Sequence, residues 1–292
     1  MAMKVQYFGD VNDFRKFALL RTLAEVGRFR VGVCWMLTEA DGSGQGANRG
    51  YLRQVDQWRR YDPALFDALA SAPPKPTIDD LQRAENEALI PDATFFNDFT
   101  PDALAGHRVH HQACMKVFKG RELIYFDPDN GLEVKSTAKG RKRSSKYAYL
   151  DEIADHYAAG RSMLLYQHFP RHVSREILIR TKAGRLRSAL AGSTVCSFET
   201  PHVVFLLAPG PIMLDAPRGS WAISKNEDAF PDYLGASSWS GRMSLRTAQT
   251  SMTVSVDPDI SSASRANSYG STPIARQIAT NSPTSSSRAP LS

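Results

Sequence analysis

Cysteine is scarce in this chain and does not cluster: three residues, Cys34, Cys114 and Cys196, are scattered over 292 positions. An odd, dispersed set provides neither a disulfide framework nor a zinc knuckle, so a reducing, cytoplasmic setting is expected. Long apolar runs are also lacking. None approaches the roughly 20 residues needed to span a bilayer, and the first thirty residues are charged and amphipathic rather than leader-like. A soluble protein with no membrane partner is the expectation. There is no internal repeat, no GxGxxG and no HExxH. The nearest approach to HExxH is HRVHH, where His107 and His111 share a helical face without an acidic base between them. That reads as a solvated helix, and no metal is assigned to it.

Apolar residues make up 42% of the chain and charged ones 23%, enough to bury a core. The net charge of +6 suits a polyanionic partner. From about Leu234 the composition turns to Ser, Thr, Ala, Arg and Pro, with no apolar period. Such a stretch cannot bury enough surface to offset its chain entropy, so residues 234–292 are expected to form a disordered Ser-rich tail behind a folded domain of residues 1–233.

Within that domain, DFRKFALLRTLAEVG carries a broad apolar face. Asn12 or Asp13 is placed to start a helix there and Gly27 to end it. RVGVCWML, residues 30–37, is a nearly continuous apolar run of the kind found in strands covered on both faces. A glycine-rich loop follows, and then a helical insertion over residues 51–92. TFFNDF reads as a short strand, HRVHHQACMKVF as a helix, RELIYFDPD as a strand, residues 147–159 as a helix, SMLLYQHF as a strand and residues 173–190 as a helix. TVCSFET and HVVFLLAP, parted by little more than Pro201, read as an antiparallel hairpin. This alternation predicts an α/β fold with a doubly wound sheet closed by a C-terminal antiparallel hairpin.

In open sheets of this type ligands bind beyond the carboxyl ends of the strands. The first such end, Thr38 to Gly46, offers Thr38, Glu39, Asp41 and Gly42, flexible backbone beside carboxylates that suits a ribose-bearing cofactor. The second is the acidic turn of IYFDPDNGLEV, with Asp127, Asp129 and Asn130 around Pro128 and Gly131 freeing the backbone. The third is YQHFPRH, where His168 is an acid–base candidate and Arg171 an anion holder. Beside these ends, KSTAKGRKRSSK supplies Lys135, Lys139, Arg141, Lys142, Arg143 and Lys146 on a loop suited to a phosphate backbone. Nucleic acid, RNA or DNA, is the expected partner.

Taken together, these motifs resemble the bacterial 23S ribosomal RNA adenine-N6 methyltransferases. FGDVNDFRKFALL is similar to that family's opening, through Gly9, Asp10, Asp13 and Lys16, and Cys34 to Gly46 to its first strand end. The family's Asp-Pro-Pro-Tyr strand end is matched by Asp127, Pro128, Asp129 and Asn130, and its later Tyr-Pro turn by Tyr166 to Arg171. The resemblance implies a Rossmann-like fold, S-adenosylmethionine as cofactor held near Lys16 and the first strand end, and Asp127 accepting a hydrogen bond from a target amine. Asp129 and Asn130 stand where that family has a proline carbonyl and a base-stacking ring.

Two other chemistries stay open on the same residues. Asp127, Asp129 and Glu133 could collect Mg²⁺ for phosphodiester cleavage, assisted by Lys135 or His168, and GLEVK resembles the Glu-x-Lys of restriction-type nucleases. A non-catalytic nucleic-acid binder built on the same fold is the third reading.

Overall fold

The computed structural model describes residues 8–25, 27–38, 48–170 and 172–215, together with the backbone of two strands at 242–247 and 250–256. Helix α1, Val11–Glu25, opens the fold and leads to strand β1, Val31–Cys34. The cap of α1 is Asp10, two or three residues earlier than expected: its Oδ1 accepts from the backbone N–H groups of Asn12 and Asp13 at 2.7 and 2.9 Å. The insertion after β1 is a chain of short helices, among them α2 (Val55–Trp58), α3 (Pro63–Ala70) and α4 (Ile78–Asn86). Asp62 caps α3, with Pro63 as its first residue, and Thr77 with Asp80 closes a capping box on α4.

Strand β2 (Thr94–Phe96), helix α5 (Leu104–Val117), strand β3 (Leu123–Phe126), helix α6 (Leu150–Ala158), strand β4 (Ser162–His168) and helix α7 (Arg175–Ala189) alternate along the chain. Strands β5 (Cys196–Glu199) and β6 (Val203–Ala208) and the short helix α8 (Pro211–Asp215) follow. The strand order is β2-β1-β3-β4-β6-β5, continued by β8 (Thr250–Val256) and β7 (Arg242–Thr247). Strands β2, β1, β3 and β4 run parallel, β6 is antiparallel to β4, and β5 antiparallel to β6.

The hairpin read from the sequence is therefore present, but β8 pairs with β5, so the hairpin does not form the edge. Strands β7 and β8 also lie inside the stretch expected to be structureless, and the rest of that stretch is outside the described residues.

Side chains alternate across the strands, so each face has its own core. On one face Val33, Trp35, Leu123, Tyr125, Leu164 and Tyr166 pack with Phe14, Phe17 and Leu20 of α1 and with Leu65, Leu69 and Leu81 of the insertion. On the other, Cys34, Ile124, Phe126, Met163 and Leu165 pack with Cys114 of α5, Ile153 of α6 and Leu186 of α7. No strand of the parallel part is left one-sided, which is why its sequence reads as unbroken apolar runs.

Leu164 is fully buried at the centre of β4, between parallel β3 and antiparallel β6. Leu164→Ala should cost about 2–5 kcal/mol, read as a lower urea midpoint with an unchanged slope. A loss below about 1 kcal/mol would show that the site can collapse around the cavity.

Candidate functional site

The chain order of the strands reverses between β1 and β3: β2 lies on one side of β1, and β3 and β4 lie on the other. The carboxyl ends of β1 and β3 therefore flank the crevice in which a ligand of an open α/β sheet binds.

Helix α1 reaches that crevice with a buried charge. Lys16 is 4% exposed, and its Nζ donates to Asp127 Oδ2 at 2.6 Å and to Asp13 Oδ1 at 2.7 Å. Asp13 is one helical turn before Lys16, and its Oδ2 accepts from the Gly9 backbone N–H at 3.0 Å. Two residues apart on one strand, Tyr125 and Asp127 face the same side, and the tyrosine hydroxyl donates to Asp127 Oδ1 at 2.8 Å. The Lys16 ammonium also lies 5.5 Å from the centre of the Trp35 ring and 5.7 Å from that of Tyr166. Burial alone would strip the proton from Lys16, but the two carboxylates outweigh it and hold its pKa above the ordinary value. For Asp127 burial prevails over the lysine and raises the pKa. Each of its oxygens accepts one hydrogen bond within the protein, and the side chain is 1% exposed.

Asp10 completes the cluster. Burial first and then the Asp13 charge push its pKa up to about 7.

The turn after β3 is clamped from β4. Gly131 has φ +88°, and a Cβ there would come within 2.3 Å of Gln167 Oε1, so a side chain at this position would strain the backbone and displace the Gln167 amide. Gln167 Oε1 accepts from Leu132 N at 3.0 Å, while its Nε2 donates to the carbonyls of Asn130 and His168 at 3.2 and 2.9 Å. Asp129 is buried, 3.1 Å from Lys146 Nζ, and Asn130 is the exposed member of the motif. His168 is half-buried at the last position of β4, in register with Val203.

At the end of β1, Met36 takes the left-handed conformation with φ +49°, an uncommon setting for a side-chain-bearing residue that recurs at functional sites. Two residues on, Thr38 is 8% exposed and its Oγ1 has no hydrogen-bond partner among the described residues. A buried hydroxyl left unsatisfied costs about 1–3 kcal/mol, so this is where a ligand's polar group would be rewarded. Glu39, Asp41 and Gly42, assigned to the cofactor, lie outside the described residues, as does Arg171.

The basic loop divides into two groups. Lys139 is paired with Asp151 at 2.6 Å and with Glu152 at 3.0 Å, and Lys146 is close to Asp129, so both brace the fold. Lys135, Arg141, Lys142 and Arg143 are exposed and remain available to an anion. Glu133, a candidate metal ligand, is held by Arg185 at 2.6 Å. Among the described residues no group of three His, Cys, Asp or Glu side chains could hold a metal ion. The HRVHH helix is less solvated than expected: His107 is 1% exposed beside Glu152, and His111 meets Asp155 at 2.9 Å.

Trp35, Tyr125 and Gln167 are structural partners that the residue pattern alone did not mark for these roles. Comparisons with protein-family models, with curated proteins and with solved structures return no match.

Two predictions follow from the cluster's charge. Lys16→Met strands two buried carboxylates and should cost about 3–5 kcal/mol, and adding Asp127→Asn should recover part of that loss. Chemical denaturation of the single and double variants measures both, and additive losses would contradict the pairing.

Asp10 gives a pH signature. Folding raises its pKa from 3.8 to about 7, so the folded protein holds more protons than the unfolded chain between those values. Its contribution is full below the unfolded value and is lost as pH rises toward the folded one. Asp10→Asn keeps a capping side chain, so its melting temperature relative to wild type should climb from acid to mildly alkaline pH. A constant difference would show that Asp10 titrates normally.

Proposed function

We propose that the protein is a Rossmann-like, S-adenosylmethionine-dependent methyltransferase acting on nucleic acid. The observation that carries the reading is the Thr38 hydroxyl, buried just past the end of β1 at the strand-order reversal and unsatisfied among the described residues. An adenosyl cofactor brings hydroxyls and ring nitrogens able to satisfy such a group.

When bound, the cofactor supplies a methyl group on a sulfonium, and transfer to an amine then needs alignment and exclusion of water more than acid–base chemistry. The chain's residues are suited to that work. Lys16, Asp127 and Tyr125 are locked together and act as a brace that fixes the floor between β1 and β3. Gln167 sets the backbone of the turn, so exposed Asn130 is the motif's remaining polar side chain for an acceptor amine. Its amide oxygen can accept from that amine. The exposed cations of the 135–146 loop add charge for a phosphate backbone. The Mg²⁺ reading draws no comparable support, because Lys16 already neutralises Asp127 and Arg185 holds Glu133.

Isothermal titration with S-adenosylmethionine and S-adenosylhomocysteine tests the reading directly. Both should bind, and Thr38→Val, which keeps the shape and removes the hydroxyl, should weaken binding about tenfold, the equivalent of one hydrogen bond. Absence of binding by either compound would sink the reading.

A further inference from the structure

The loop that follows the acidic turn comes back to it with an aromatic residue. Asn130 N donates to the carbonyl of Lys146 at 2.8 Å and Ala148 N to that of Gly131 at 3.0 Å, so Tyr147 lies between two hydrogen bonds to the turn that carries Asn130. Leu132 and Ala148 bridge at this place, and both are buried in the core beneath α5, α6 and α7. The backbone of Tyr147 is extended, with φ −128° and ψ 142°, so its side chain leaves on the face opposite that of Ala148. It is half-buried and belongs to neither core of the sheet. Among the described residues no ring or cation stacks on the Tyr147 ring and no hydrogen bond holds its hydroxyl. The neighbouring rings are already engaged: Tyr166 is buried beside Lys16, and Phe169 packs on the core with Arg175 over it.

The cations of the same loop are held on a fixed frame next to that ring. A short 3-10 turn, Ser144–Lys146, joins Arg143 to Tyr147, and Tyr147 N donates to Ser144 O at 3.1 Å. Arg143 has φ +69°, a left-handed setting uncommon for a residue with a side chain. Asp102, just ahead of α5, keeps it there. Its Oδ2 accepts from Arg143 N at 2.7 Å, its Oδ1 from Ser145 N at 2.9 Å and its carbonyl from Ser144 Oγ at 2.8 Å. Burial works to raise the Asp102 pKa, but the Ser145 and Arg143 N–H groups outweigh it and hold the carboxyl below its usual value. Lys139, paired with Asp151 and Glu152, anchors the loop a few residues earlier. On this frame Arg141, Lys142 and Arg143 are exposed.

We propose that Tyr147 is a stacking platform for one unpaired base of the nucleic-acid acceptor, next to Asn130, with Arg141, Lys142 and Arg143 holding the adjoining phosphates. Every base presents a π-face, so a ring beside a row of cations recognises single strands whatever their sequence. In a duplex the bases are stacked on one another and offer the ring no face. Asp102 is the positioning residue of this arm, because it sets the kink from which the cations project. The proposal rests on the nucleic-acid reading of the acceptor, but it does not depend on the identity of the cofactor.

Fluorescence anisotropy of the full chain with labelled single-stranded RNA and DNA oligonucleotides and their matching duplexes, across about 50 to 200 mM salt, provides the test. The single strands should bind more tightly than the duplexes. Tyr147→Ala should weaken single-strand binding at least about fivefold, the lower end for one stacked base, and leave the salt slope unchanged. Tyr147→Phe keeps the π-face and should bind as wild type does. Tyr147→Leu keeps bulk without that face and should behave as the alanine variant, so it decides the matter if the alanine variant fails to fold. Arg141→Ala should instead reduce the salt slope by about 0.7, the value for one lost phosphate contact on a single strand. Wild-type affinity in Tyr147→Ala or Tyr147→Leu would overturn the platform, as would an equal loss in Tyr147→Phe or duplexes bound as tightly as single strands. Failure of the wild type to bind any oligonucleotide would overturn it together with the nucleic-acid reading. Titrating S-adenosylmethionine into the same variants separates the two claims. Loss of single-strand binding in Tyr147→Ala with no cofactor binding leaves the platform standing and removes the methyltransferase reading. Cofactor binding with no effect of Tyr147→Ala does the reverse.

Discussion

The pairing of Lys16 with Asp127 joins the first helix to the third strand across 111 residues of sequence, and much of the site's geometry depends on it. An ammonium and a carboxylate removed from water together lose several kcal/mol each in hydration, and only close geometry with further partners recovers that. Here the further partners are present: Asp13 on the same helix, the Tyr125 hydroxyl on the same strand, and two aromatic faces flanking the cation. Because these groups come from α1, from β3 and β4 and from the residues that directly follow β1 and β3, satisfying the lysine fixes how the helix lies on the sheet. An apolar residue at position 16 would give the helix no comparable reason to choose one register.

That arrangement also explains why the acidic turn after β3 is not simply open to solvent. Asp127 is used by the interior, Asp129 is turned toward Lys146, and Gln167 holds the backbone so that Asn130 alone is presented outward. Of the groups described at the crevice between β1 and β3, Lys16, Asp127 and Tyr125 are satisfied within the protein, whereas the Thr38 hydroxyl has no partner among the described residues. In a rigid, low-dielectric setting an unsatisfied hydroxyl confers selectivity, because a ligand that cannot meet it gains nothing there.

The sequence made several of these features legible. The parallel strands announce themselves as apolar runs because both faces are covered, and Gly131 was marked by its place in the turn. The amphipathic run of α1 was equally clear, but the burial of Lys16 was not, since a lysine on such a helix reads as solvent-facing until its partner 111 residues away is known. The hairpin was recognisable from Pro201, whereas its placement, with β6 against β4 and β5 covered by β8, depends on pairings that local pattern does not encode. The basic loop misled in part: its residue types suggested one anion-binding surface, yet Lys139 and Lys146 are spent on carboxylates of the fold.

On the proposed reading, the crevice between β1 and β3 is braced by the Lys16–Asp127 pair and receives an adenosyl group at Thr38. A crystal structure grown with saturating S-adenosylhomocysteine tests it most directly. The expected result is adenosyl density between the carboxyl ends of β1 and β3, with a ligand polar atom within hydrogen-bonding distance of Thr38 Oγ1 and the Lys16–Asp127 contact unchanged. Density at another place on the molecule, or an adenosyl group in the crevice that leaves the Thr38 hydroxyl without a partner, would contradict it.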